Sequence, residues 1–377
     1  MKKYIPFFVA TAMMVGGLSA CSSNVKTSDS SNSSDSGSKS DKIQIVTTIF
    51  PEYDWVMNVL GDKKDNADVT MLLDNGVDLH SYQPTADDIL KISTCDLFVY
   101  VGGESDEWVE DALAEATNKD MVVVNLMDVI GEAAKEEEMV EGMQESEHHH
   151  DHEDGEEHEH EDAEEHEHED AEDHDHEDGE EHEDAEEHEH EHEHEEGEVE
   201  YDEHVWLSLR SAATLVDSIS EALQKVDADN ADTYKSNAES YISELNSLDE
   251  EYETAVSEGD KDTILFGDRF PFRYLVDDYD LNYYAAFVGC SAETEASFET
   301  ITFLSEKVDE LGLKAVLTIE SSDKKIAETI VENTESKDQQ ILTMDSMQST
   351  TSKDVEDGTS YLSIMKDNLD VLKEALK

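Results

Sequence analysis

From residue 43 the chain alternates short apolar runs with amphipathic stretches. IQIVTT at 43–48 reads as a strand buried on both faces, followed by a helix from about Tyr53 to Leu60. VTMLL at 69–73, a helix from about Thr85 to Ile92, DLFVYV at 96–101, a helix from about Asp106 to Ala116 and MVVVN at 121–125 continue the series. Thr85, just after Pro84 and with Asp88 three positions on, has the spacing of a capping box. This βαβα order predicts a parallel sheet covered on both faces, with ligand sites at the carboxyl ends of its strands.

Helical patterning resumes at Val205. Tyr234, Ala238, Tyr241, Leu245, Leu248, Tyr252 and Val256 then step by three or four, one apolar stripe along a helix from about Ala231 to Val256. A second αβ series follows: TILFG at 263–267, YYAAF at 283–287, a helix from about Ser297 to Leu311, KAVLTI at 314–319, a helix from about Asp323 to Asn333, QILTM at 340–344 and a closing helix from about Gly358 to Leu376. The expected fold class is α/β, two βα lobes with parallel sheets joined by one long helix, with a cleft between them. The first lobe spans 42–230, the linking helix 231–258 and the second lobe 259–377. Roughly 280 residues are enough for two domains with their own cores.

One stretch breaks the pattern. Within a loop at 132–200, fifteen of the seventeen histidines fall between His148 and His194, in a degenerate eight-residue repeat of the type EDAEEHEH. Residues 145–200 hold 33 acidic side chains and no basic ones, so repulsion and the lack of apolar side chains predict an unfolded segment in the absence of metal. Imidazole is a common ligand of zinc and its neighbours, so the run reads as a device that gathers such ions at modest affinity and large capacity. The alternative is an acidic solubilising spacer. Net charge is −73, which makes nucleic acid an implausible partner.

At the N-terminus Lys2 and Lys3 precede an apolar run from Ile5 to about Leu18 that is too short to span a bilayer. Its LSAC ending, residues 18–21, resembles the bacterial lipobox. Residues 1–20 are then a lipoprotein signal peptide, Cys21 the acylated residue that anchors the chain to a membrane, and 21–41 a polar tether. The alternative is an ordinary signal peptide with a chance cysteine. Cys95 and Cys290 read as two thiols rather than a disulfide, since they fall in different halves of the chain.

GVDLHSYQPTADDILKISTCDLFVYVGGESDEWVEDAL at 76–113 resembles the first histidine motif of the zinc and manganese solute-binding lipoproteins of ABC transporters. In that family a G-x-D-x-H-x-Y-x-P-T/S loop precedes a helix and then a strand ending in V-G-G. DEHVWLS at 202–208 resembles the second motif, D-x-H-V-W-L, and a His-rich acidic loop just before it marks the zinc-uptake members. MDS at 344–346 and DGTSYLSIMKDNLDVLKEAL at 357–376 resemble the last strand, its aspartate ligand and the closing helix.

The resemblance implies an extracytoplasmic solute-binding protein, lipid-anchored and monomeric, that captures Zn2+ between its lobes and delivers it to an ABC permease. His80, His204 and Asp345 would be its ligands. Where the family carries a third ligand on the strand near residue 266, FGDRFPFRYL at 266–275 keeps Phe272 and Tyr274 but has Arg269. A guanidinium stays protonated and cannot bind zinc. Asp268 is the substitute expected to supply an oxygen, with water or an open position as alternatives and Cys290 as an outside candidate. Arg269 is expected to pair with an acid such as Glu295 or Glu320. Other readings are manganese as cargo and a surface metal buffer or adhesin lipoprotein without a transport role. No HExxH, nucleophile elbow or phosphate loop supports an enzyme.

Overall fold

The computed structural model describes residues 42–144, 200–291 and 295–377. The signal peptide, Cys21, the tether and the histidine run lie outside those residues.

The first half runs β1 Ile43–Thr47, α1 Phe50–Leu60, β2 Ala67–Met71, α2 Ala86–Thr94, β3 Leu97–Tyr100, α3 Trp108–Ala114, β4 Val122–Asn125 and α4 Leu126–Ile130. Its strands pair in parallel in the order β2-β1-β3-β4. After α5 Leu209–Val226 and α6 Ala231–Glu258 the second half runs β5 Thr263–Phe270, α7 Arg273–Asp278, β6 Asn282–Val288, α8 Phe298–Leu311, β7 Ala315–Ile319, α9 Lys325–Asn333, β8 Gln340–Met344, α10 Ser352–Glu356 and α11 Tyr361–Ala375. It repeats the same parallel order, β6-β5-β7-β8. In both sheets the winding reverses beside the first strand, the place where such folds open a crevice.

Three local departures from the sequence reading have physical causes. Helix α1 begins earlier because Pro51 suits its first turn and the buried Glu52 carboxylate accepts from the amides of Thr48 at 2.7 Å and Ile49 at 3.2 Å. Strand β5 runs three residues past Gly267, because a register shift between Phe266 and Arg269 lets it resume pairing with β6 as far as Phe270. The short helices α7 and α10 are too brief to show a period. Helix α2 starts as the spacing predicts, with Thr85 Oγ1 accepting from the Asp88 amide and Asp88 Oδ2 from the Thr85 amide.

The two halves do not keep separate cores. One apolar cluster includes Ile45 and Val99 of the first sheet, Leu317 and Met344 of the second, and Leu215, Leu245 and Leu372 from α5, α6 and α11. Helix α6 spans the join: Asn237 donates to the Val59 carbonyl at 2.9 Å, and Tyr252 Oη to the Met365 carbonyl at 2.7 Å. The described residues accordingly form one compact unit. A smaller cluster around Leu304, Val308, Val316 and Ile330 fills the space between the second sheet, α8 and α9.

Candidate metal centre

Two turns of the same design place the two outlying histidines. Asp78 Oδ1 accepts from the His80 amide at 3.0 Å, and Asp202 Oδ1 accepts from the His204 amide at 2.8 Å. In each D-x-H segment the aspartate folds back on the backbone and fixes the turn that carries the ring. The result is an Nε2–Nε2 separation of 3.2 Å between His80 and His204, with ring planes at 61°.

The opposite ring nitrogens are engaged. His204 Nδ1 lies 3.0 Å from Asp202 Oδ1. His80 Nδ1 lies 2.8 Å from Ser105 Oγ and 3.4 Å from Glu203 Oε2, the latter a charge contact at the long end of hydrogen-bonding range. A carboxylate only accepts, so Asp202 puts the neutral ring's proton on Nδ1 of His204 and leaves the lone pair on Nε2. Two imidazole nitrogens face each other with room for one shared cation. A Zn–N bond of about 2.0–2.1 Å makes a 3.2 Å separation subtend about 100°, close to tetrahedral.

The surroundings favour positive charge. His204 is fully buried, which by itself lowers its pKa, but Asp202, Glu203 and Asp78 outweigh burial and raise it. Glu203 is also buried, which raises its pKa, yet hydrogen bonds from His80 and Ser105 carry it below its usual value. The Ser105 amide donates to Glu203 Oε1 at 2.8 Å. Two glycines make this closeness possible. A Cβ on Gly103, whose φ is +81°, would lie 2.4 Å from Glu203 Oε1, and one on Gly289 would lie 3.0 Å from His204 Cε1 and 2.9 Å from the Phe270 carbonyl. The V-G-G ending of β3 thus seats the carboxylate that backs His80.

The second half reaches the site through β5 and β6. Tyr274 donates to the Asp202 carbonyl at 2.7 Å, and Trp206 Nε1 to the Ser346 carbonyl at 2.9 Å. Arg269 does not pair with Glu295 or Glu320. Its Nη2 lies 2.7 Å from Asp78 Oδ2 and its Nη1 donates to the Ser291 carbonyl at 3.3 Å. Glu320 is committed to the Ser346 amide at 2.7 Å and the Gln348 amide at 3.1 Å. An ion pair between halves therefore stands at the position where the sequence resemblance implied a ligand.

Cys290, just past β6, has its sulfur within 4.8 Å of both histidines' ligand nitrogens, and among the described residues these three alone form such a group. Burial pushes its thiol up, reinforced by Asp202, Glu137 and Glu203. Asp345 and Asp268 do not enter the group. Asp345 Oδ1 accepts from the Met347 amide at 2.7 Å, and burial with nearby Glu320 raises its pKa to about 7. Asp268 accepts from the Arg269 amide at 2.9 Å and the Ile319 amide at 3.4 Å. A cavity of about 250 Å³ is lined by His80, Ser105, Glu104, Glu137, Glu203 and Cys290. Beside it Glu136 and Tyr201 form an antiparallel bridge and the Glu137 amide donates to the Glu200 carbonyl at 2.9 Å, so the two flanks of the histidine run meet there. Sequence reasoning missed the roles of Asp202, Glu203 and Ser105. The signal available was the repetition of D-x-H.

Residues 45–375 match the model of the zinc-uptake complex component A family, described as periplasmic. The chain belongs to this family. It is 30% identical over 376 residues to the high-affinity zinc uptake system protein ZnuA of Bacillus subtilis, covering 100% of this chain and 98% of that one. It is 28% identical over 336 residues to the zinc-binding protein AdcA of Streptococcus pyogenes, covering 88% of this chain and 56% of that one, so it spans about half the length of that relative. The Zn(II)-bound ZnuA-like domain of Streptococcus pneumoniae AdcA superposes with a TM-score of 0.61 at 24% identity, over 89% of this chain and 99% of that one. The metal-dependent lipoprotein YcdH of Bacillus subtilis gives 0.63 at 24% identity, with the same two coverages. At that identity the likeness bears on the fold, the two-sheet architecture of zinc-uptake component A. Among the described residues no helix is long and apolar enough to cross a membrane.

Proposed function

We propose that this protein is an extracytoplasmic receptor that captures Zn2+ between its two halves and delivers it to an ABC permease, held at the membrane by a lipid on Cys21. The observation that carries the reading is the facing pair of Nε2 atoms at 3.2 Å, each ring fixed from behind through Nδ1. Such an arrangement is prepared for a borderline-soft ion: imidazole donors, a fixed tautomer and a buried anionic surround. The relatives named above as zinc-binding and zinc-uptake proteins support the same cargo. Binding rather than catalysis is the reading, because the site's cavity is small and lined by acids suited to admitting a cation.

His80 and His204 are the proposed ligands. Asp202 and Glu203 hold their rings and stabilise the charge of the bound ion. Asp345 and Asp268, whose carboxylates are committed elsewhere, would join only after their loops rearranged, so the oxygen-rich shell that manganese prefers is not favoured. The histidine run adds capacity beside the cavity rather than tightness within it.

Chelator competition on purified full-length protein tests this. His80→Ala is expected to abolish the tightest zinc site, whereas deletion of 147–198 is expected to lower stoichiometry and spare that site. Loss of all tight binding on deletion would overturn the assignment.

A further inference from the structure

We infer that Cys290 is the third zinc ligand of this chain, its thiolate supplying the donor that Arg269 cannot, and that the centre is a His2Cys site selective for thiophilic divalent ions. The inference rests on the reading of His80 and His204 as ligands. Three observations converge on it. The sulfur already lies within 4.8 Å of both histidines' ligand nitrogens. With Zn–S of about 2.3 Å and Zn–N of about 2.0–2.1 Å, a ligand sulfur sits about 3.5 Å from each ligand nitrogen, so the thiol needs to close by no more than about 1.3 Å.

Arg269 holds the thiol's loop in place. One guanidinium nitrogen takes Asp78, which fixes the His80 turn, and another takes the carbonyl of Ser291, next to Cys290. The residue that removed one ligand therefore ties the two ligand-bearing loops together. Gly289 completes the approach, since its missing side chain lets the chain run against the His204 ring immediately before Cys290. The Cys290 amide, for its part, donates to Glu137 Oε1 at 3.3 Å in the cavity lining.

On binding, the S–H bond of Cys290 breaks as the Zn–S bond forms and the proton leaves to buffer; no electrons are transferred. A thiolate with two imidazoles prefers zinc or cadmium over manganese, and a fourth position stays open on the cavity side.

Full-length protein loaded with one equivalent of Co2+ tests this, because only a coordinated thiolate gives a sulfur-to-cobalt charge-transfer band in the near ultraviolet and the histidine run contains no cysteine. The band is expected in the native chain and in Cys95→Ser, and to be absent in Cys290→Ser. Cys290→Ser is also expected to weaken the tightest zinc site by about 100-fold or more, above the 10–100-fold typical of an outer-shell partner, while changing manganese binding by less than about 10-fold. Should that variant fail to fold, alkylation mapping on the native chain gives the same reading: zinc protects Cys290 there, and does not in His80→Ala. A native protein without the band, or a band that survives Cys290→Ser, overturns the thiol ligand. If His80→Ala still removes the tight site in that case, the receptor reading stands without it; if His80→Ala has no effect either, both fall.

Discussion

The ion pair between Arg269 and Asp78 joins the two halves of the molecule beside the metal centre, and its strength can be worked out and measured. The atoms are 2.7 Å apart, with side chains 16% and 22% exposed. Two unit charges about 4 Å apart at an effective dielectric of about 20 attract by about 4 kcal/mol. Desolvation and side-chain ordering oppose this. Fully exposed pairs retain at most about 1 kcal/mol, whereas breaking buried ones costs about 3–5 kcal/mol. A pair at this exposure belongs between those limits, so a coupling of about 1–3 kcal/mol is expected.

Urea unfolding of metal-free protein gives the coupling from a cycle of native chain, Arg269→Gln, Asp78→Asn and the double variant. Asp78→Asn also disturbs the acceptor of the His80 amide, but that effect appears in both legs of the cycle and cancels. Each single variant is expected to lower the melting temperature by about 2–4 °C per kcal/mol lost. High salt should reduce the coupling only in part, because the pair is mostly buried. A coupling under about 0.5 kcal/mol at low salt would refute the claim that this pair fastens the halves together.

Three further outcomes follow from the geometry. Gly289→Ala, which drives a methyl group against His204 and the Phe270 carbonyl, is expected to weaken tight zinc binding at least about 10-fold while the circular dichroism of the fold persists; unchanged affinity would show that the loop yields. Asp54 is buried and its pKa is pushed up to about 6 by desolvation, opposed by hydrogen bonds from Tyr241 and Asn58. The folded state therefore takes up its proton more readily than the unfolded one, so this group's destabilisation is present above about pH 6 and is relieved as pH falls from about 6 toward 4. Asp54→Asn should stabilise metal-free protein by about 1–3 kcal/mol at neutral pH and flatten that slope, and a less stable variant would show that the carboxylate's hydrogen bonds matter more than its burial. Capture by the histidine run should weaken between about pH 7 and 5.5 as imidazoles protonate, and equal calorimetric stoichiometry at both values would count against histidine as the run's ligand.

The strands were legible because parallel strands covered on both faces are continuous apolar runs, and IQIVTT and KAVLTI can be little else. The long helix was legible from its single stripe. The shared core was not, because periodicity says which face is buried and not what lies against it. His80 and His204 stood out because the rest of the histidines sit in one run. Asp202 and Glu203 did not, since among 98 acidic residues nothing in composition marks the few that are buried. Abundance also misdirected the search for the partner of Arg269: Asp78 is 191 positions away, and many acids lie nearer. Cys290 was discounted because a lone thiol in an αβ half is usually core, and only its place beside two imidazoles says otherwise.

The acids that escaped notice explain why this site favours an ion and how supply reaches it. Asp202 and Glu203 are buried beside the two rings, and Glu137 lines the cavity. Carboxylates removed from water are costly unless paired; here hydrogen bonds hold them, and an entering divalent cation would meet an anionic surround already in place. The same field raises the affinity of His204 for a proton, so proton and metal compete for one cavity. A store of weak ligands helps in that competition only if it discharges close by. The Glu136–Tyr201 bridge and the Glu137–Glu200 hydrogen bond hold both flanks of the segment that carries the histidine run beside the cavity. On the proposed reading, ligands tethered at both ends beside the cavity would hold ions at an effective concentration of about millimolar order, and so raise capture when zinc is scarce without any change in the tight site itself.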